Sequence, residues 1–207
     1  MCLTARLFLY ILATDLYILN EGKIIIITAP SGSGKTTLVK RLLAANTNIT
    51  FSISACTRQP RDGEVNGRDY HFYTEEAFKK LIDDDAFVEW EMVYTGKYYG
   101  TLKTEVYRIW AEGKAPIVDI DVMGAIAVQT KYPDNSLSIF IQAPSIEELK
   151  KRLEHRGTET PQSLQERLDK ASYELTFSHK FNKIIINDDL EAATSELLNT
   201  VASFLQA

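Results

Sequence analysis

Cysteine and histidine are both scarce in this chain of 207 residues, and their scarcity removes several classes of protein at the outset. Cys2 and Cys56 are too few for the disulfide framework that staples small secreted domains, and a reducing compartment fits. His71, His155 and His179 stand at no ligand spacing with those cysteines, so a structural metal is not expected. Excess positive charge is missing too. With 23 Lys and Arg against 28 Asp and Glu, the formal net charge of −5 argues against a surface that as a whole seeks nucleic acid or an anionic membrane. Any phosphate site must then be a local basic cluster. Nor is there a long hydrophobic run: residues 7–13 are apolar behind Arg6, but Asp15 interrupts the stretch and no small-x-small cleavage site follows. That run is also too short to span a bilayer. Residues 1–21 are read as an extension of unassigned role on a cytoplasmic protein. The sequence does not decide between a monomer and a homo-oligomer.

What is present is a composition, 45% hydrophobic and 25% charged, that can bury a real core. From Gly22 onward, apolar runs alternate with helical patterns, the signature of an α/β fold around a mostly parallel sheet flanked by helices. Residues 24–28, 115–120, 137–141 and 183–187 are nearly continuous in large apolar side chains, as expected of strands covered on both faces. Helices are predicted from about Gly34, Val122, Ser145 and Asp189. The stretch 54–103 breaks the rhythm with short strand-like pieces and one amphipathic helix near 75–84, and reads as an inserted small α+β domain. A second interruption, 152–180, is charged and largely helical with a turn at Gly157 and Thr158, and reads as a lid. The core is then 22–53, 104–151 and 181–207.

Directly after the first strand stand Ala29, Pro30, Ser31, Gly32, Ser33, Gly34, Lys35, Thr36 and Thr37, leading into a helical pattern. This is a P-loop in its strand–loop–helix context. Its glycines let successive amide N–H groups curl inward onto phosphate oxygens, and the helix N-terminus adds its positive dipole end. Lys35 supplies a mobile charge for the β- and γ-phosphates, and the Thr36 hydroxyl is placed to ligate Mg²⁺. Ala29 replaces the usual first glycine, which costs little if its φ is negative. A switch GTPase is disfavoured, because Asn182-Lys183 is followed by Ile184-Ile185 instead of the x-Asp of a guanine motif.

The segment 52–72, which contains Thr57-Arg58-Gln59-Pro60-Arg61-Asp62-Gly63-Glu64 and Gly67-Arg68-Asp69-Tyr70, closely resembles the guanylate kinase family. The resemblance continues through Phe87-Val88-Glu89-Trp90, Tyr98-Tyr99-Gly100-Thr101, Val118-Asp119-Ile120-Asp121, Arg152-Leu153-Glu154-His155-Arg156-Gly157 and Asn187-Asp188-Asp189-Leu190, and so covers about Gly22 to the C-terminus. It implies transfer of the γ-phosphoryl group of ATP to GMP, giving ADP and GDP, with Mg²⁺. It also implies that Arg58, Arg61, Tyr70 and Tyr99 hold the GMP phosphate, and that Arg156 and Arg167 of the lid meet the ATP phosphates. The loop 93–97 is one residue longer than the usual family spacing.

Residue chemistry points the same way. Two guanidinium forks around the stiff Pro60 suit a phosphate dianion. Guanine presents N1–H and N2–H side by side, and a carboxylate such as Glu89 can accept both; Ser54 and Thr101 offer hydroxyl donors, which the resemblance implies stand around the base. Adenine would turn a lone pair toward Glu89. Asp119 and Asp121, two residues apart at a predicted strand end, would face one side and border the crevice where open α/β sheets bind ligands. One of the two is a candidate for orienting Mg²⁺ through water and the other for contacting the acceptor nucleoside; the resemblance implies Asp121 for the nucleoside, which leaves Asp119 for the metal. Two rivals stand beside this reading: a non-catalytic guanylate-kinase-like binding module, and a kinase of the same fold with another phosphorylated acceptor.

Overall fold

The computed structural model describes residues 22–155 and 160–207. Five parallel strands form the main sheet: β1 (Ile24–Thr28), β2 (Ile49–Phe51), β7 (Ala115–Asp119), β8 (Ser136–Gln142) and β9 (Lys183–Ile186), in the order β2-β7-β1-β8-β9. The central strand shows why near-continuous isoleucine is needed. Ile25 and Ile27 of β1 point to the face covered by α1 (Lys35–Ala45) and α7 (Leu190–Gln206), joining Leu38, Leu42, Leu197 and Val201. Ile24 and Ile26 point the other way, to α3 (Lys103–Ala111) and α4 (Val122–Lys131), among Val106, Ala125 and Phe140. Truncating one such fully buried isoleucine to alanine costs about 2–5 kcal/mol.

Three sequence expectations differ from this sheet. The pairing of β7 stops at Asp119, so Asp121 is not a strand residue facing the same side. It is the N-cap of α4, its Oδ1 accepting the N–H of Gly124 at 2.8 Å. β9 is not covered on both faces: it is an edge strand, and Ile184 and Ile186 stay exposed while Ile185 packs under α7. The short edge strand β2 carries no long apolar run and was not predicted at all.

A second sheet, β4-β3-β6-β5, contains β3 (Ala55–Cys56), β4 (His71–Phe72), β5 (Phe87–Tyr94) and β6 (Lys97–Leu102). Helix α2 (Glu75–Asp83), capped by Thr74, packs Phe78 against Phe87 with ring centroids 4.5 Å apart. β5 and β6 pair antiparallel with Glu89 opposite Thr101 and Glu91 opposite Tyr99. The β5–β6 register shifts twice, between Phe87 and Glu89 and between Met92 and Tyr94, and Glu89 stands opposite Thr101 between the two irregularities.

The remaining helices, α5 (Ile146–His155) and α6 (Pro161–Leu175), pack on each other through Leu149, Leu153, Leu168 and Ala171. A capping box between Thr160 and Ser163, with Pro161 at the first position, starts α6. No helix among the described residues is long and apolar enough to cross a membrane.

Candidate active site

Residues 29–36 join β1 to α1 at the carboxyl end of the parallel sheet, and the loop's shape depends on two glycines. Gly32 and Gly34 have φ of 95° and 90°, where an L side chain would be strained. Gly34 has a second constraint, because a Cβ there would stand 2.1 Å from Asn187 Nδ2, which donates to Ser33 O at 2.8 Å. Asn187 thereby anchors the loop from outside. Ala29 does not share the glycines' conformation, since Asp85 is the sole non-glycine with positive φ among the described residues.

The loop opens onto a cleft of about 430 Å³. Besides residues 29–36 its walls carry Ser54, Tyr70, Glu89, Tyr99, Asp119 and Asp121, which the sequence had singled out from separate segments. Lys35 Nζ donates to Asp119 Oδ1, a link across 84 positions of sequence. Arg167 of α6 reaches in from above, its Nη1 donating to Ser31 Oγ at 2.8 Å. Arg156 lies outside the described residues.

Glu89 is a buried carboxyl of the cleft wall. Thr101 Oγ1 donates to its Oε1 at 2.7 Å, and a Cβ on Gly124 would come within 2.8 Å of its Oε2, so a side chain there would push the carboxylate aside. Thr101 itself is buried behind Glu89, with its proton committed to that carboxylate instead of facing the cleft. Burial raises the Glu89 carboxyl to about 7, the Thr101 hydroxyl opposes the shift, and the charge of Asp121 adds to it. The Glu91 carboxyl is pushed up by burial and by Asp121.

Arg58 and Arg61 sit on the loop between β3 and β4, beside the cleft. Arg58 stacks 4.7 Å from the Tyr70 ring centroid and forks onto Glu64, whereas the Arg61 residue is exposed. The Tyr70 hydroxyl is raised by burial, with Arg58 opposing.

Several cleft residues escaped the sequence reading. Lys170 and Glu174 line it together with Arg167, spaced i, i+3 and i+7 on one face of α6, and that helical spacing was the available signal. Burial raises the Glu174 carboxyl while Lys170, 3.7 Å away, opposes. Glu91 lies two residues along β5 from Glu89 and shares its face. Arg152, in the last turn of α5, donates to Asn187 O at 3.0 Å. Among the described residues no three His, Cys, Asp or Glu side chains group to hold a metal ion.

A phosphate-binding loop that shares one cleft with a wall of hydroxyls and carboxyls, on a parallel sheet with helices on both faces, is the architecture of a P-loop kinase. Within that class the relatives are specific. The family profile described as guanylate kinase matches residues 21–204, and the chain belongs to that family. The guanylate kinase of Bacteroides fragilis is 46% identical over 186 residues, which cover 90% of this chain and 91% of the relative. That of Porphyromonas gingivalis is 47% identical over 184 residues, covering 88% and 98%. The crystal structure of guanylate kinase from Anaplasma phagocytophilum superposes with a TM-score of 0.72 at 27% identity, over 90% of this chain and 87% of that one.

Proposed function

We infer that this chain is an enzyme that transfers the γ-phosphoryl group of ATP to GMP, giving ADP and GDP. The observation that carries the reading is the shared cleft, in which the P-loop faces a confined carboxylate suited to a pair of N–H donors. The amides of 29–36 and the N-terminus of α1 cradle the donor phosphates. Lys35 turns from Asp119 to the β- and γ-phosphates, and Arg167, held over the loop by Ser31, adds charge from α6. Arg156 is proposed to do the same. On the acceptor side Glu89 accepts guanine N1–H and N2–H, Ser54 reads the base edge, and Thr101 keeps the carboxylate in register. Arg58, Arg61, Tyr70 and Tyr99 hold the GMP phosphate, and Asp121 faces the nucleoside from the start of α4.

An oxygen of that phosphate is already a nucleophile, so the reaction needs alignment and charge neutralisation more than covalent help. It attacks the γ-phosphorus in line, and ADP departs with the electron pair of the broken P–O bond. Thr36 and Asp119 both line the cleft, and one hydroxyl with one carboxylate is a hard-oxygen donor set that fits Mg²⁺ bound mainly by phosphates and water. When bound there, Mg²⁺ would neutralise phosphate charge. Residues 54–103 act as the acceptor-binding part and 152–180 as a lid, in a cytoplasmic enzyme.

The test is ADP release with ATP against GMP, dGMP, AMP, UMP and CMP. Turnover with GMP well above AMP, UMP and CMP is expected; equal turnover with AMP, or none with GMP, overturns the reading.

A further inference from the structure

Beside the cleft, the loop between β3 and β4 closes around one carboxylate. Arg58 Nη1 donates to Glu64 Oε2 at 2.6 Å and Nη2 to Oε1 at 2.7 Å, an end-on fork. Nη1 also donates to Gln59 O at 3.1 Å. The same Glu64 carboxylate accepts the Arg61 N–H at 2.8 Å, and the Glu64 N–H returns a bond to Arg61 O at 3.0 Å. One side chain therefore ties together both arginines of the loop. The guanidinium plane is packed as well, with its carbon 4.7 Å from the Tyr70 ring centroid and 5.5 Å from that of Phe72. Only 11% of the Arg58 side chain is exposed.

A guanidinium has five N–H donors in a fixed plane. Gln59 and Glu64 engage both hydrogens of Nη1 and one of Nη2. What remains is the Nε–H and the second Nη2–H, which lie along one side of the plane and form a second fork, with the Tyr70 hydroxyl also in hydrogen-bonding reach of the guanidinium. We propose that Glu64 is a positioning residue for phosphoryl transfer: it grips the end of Arg58 so that the Nε/Nη2 edge is presented to the acceptor phosphate. By holding the Arg61 backbone it also fixes where the second guanidinium leaves the loop. This rests on the assignment of Arg58 to the GMP phosphate. Hydrogen bonds from Arg58 and from the Arg61 N–H hold the Glu64 carboxyl well below its ordinary range, so the grip persists at every pH at which the enzyme would be assayed.

The experiment is steady-state kinetics on Glu64→Gln, Arg58→Lys and the double variant, with thermal melting of each. Glutamine keeps the length but offers one acceptor oxygen, so the fork is lost. Glu64→Gln is expected to raise KM for GMP by about tenfold with KM for ATP unchanged, the size typical of a lost hydrogen bond to a charged group. In the Arg58→Lys background the same change should matter little, because an ammonium has no edge to orient. Glu64→Asp, which keeps the charge with a shorter reach, should fall between the parent and Glu64→Gln. A lower KM for GMP in Glu64→Gln would mean that the carboxylate competes with the phosphate, and overturns the proposal. Equal losses in both backgrounds would mark a general loop defect and overturn it too. An unchanged KM for GMP in Arg58→Lys instead removes the assignment of Arg58 on which the proposal rests.

Discussion

On one side of the cleft the wall is a single run of chain, residues 29–36, whose backbone N–H groups are proposed to cradle phosphates; on the other it is assembled from side chains at 54, 70, 89, 99 and 121. The first wall is held at its ends by β1 and α1 and in the middle by the bond from Asn187 to Ser33 O. The second wall owes its geometry to contacts between side chains: Thr101 and Gly124 around Glu89, and Glu64 around Arg58. A backbone wall recognises what all nucleotides share, the phosphates. A side-chain wall can tell one base from another, and it is exposed to single substitutions.

The largest expected effect lies on the backbone wall, at Lys35. Lys35→Ala should lower kcat by about 10²–10³ or more, the usual cost of removing a charge that stabilises a transition state, with GMP affinity largely unchanged. Turnover near that of the parent in a folded variant would break the contrast, because the loop would then work by amides alone.

On the facing wall, Glu89→Gln removes one acceptor oxygen and brings donors to face guanine's donors. The drop in kcat/KM for GMP should be about 10- to 10²-fold, and the gap to AMP should narrow, with ATP affinity unchanged. Kinetics with GMP and AMP on both proteins, with melting as a folding control, decide it. Retained selectivity would move base recognition elsewhere on that wall.

The smallest effect is graded and depends on pH. Only ionised Glu89 can accept both guanine N–H groups, and its carboxyl titrates near 7 in the fold. Acidification through that value should therefore lower kcat/KM for GMP, approaching about tenfold per pH unit below it. The GMP phosphate itself titrates near about 6, so the component due to Glu89 is the part that disappears in Glu89→Gln. Stability runs the opposite way. The folded carboxyl lies above its ordinary 4.5, so this group's contribution is full below 4.5 and is lost as pH rises through about 7. A melting profile of the parent minus that of Glu89→Gln should show this sign; a difference that grows with pH would contradict the confinement of Glu89.

Legibility in the sequence follows the same division. The P-loop was readable because its residues are consecutive and its glycines, lysine and threonine each answer a local demand. The central strands were readable because burial on two faces needs an unbroken apolar run, as in 24–28. Asp121 was misread because alternation along a strand says nothing about where pairing stops, and pairing of β7 stops where β2 and β1 no longer offer partners. The open face of β9 escaped for a related reason: an isoleucine run looks the same at the centre and at the edge of a sheet. Lys170 and Glu174 were overlooked because charged helix faces are mostly solvated, and which face turns inward depends on how α6 packs on α5.

The class of fold, the phosphate loop and the kinase family are written in short stretches of adjacent residues, where backbone conformation and hydrogen bonding are decided by near neighbours. Pairings such as Lys35 with Asp119, Glu89 over Gly124, and Arg167 on Ser31 join residues far apart in the chain. Their geometry is set by how strands register and helices pack, so the shape of the acceptor wall and the environment of its central carboxylate become definite only once the chain has folded.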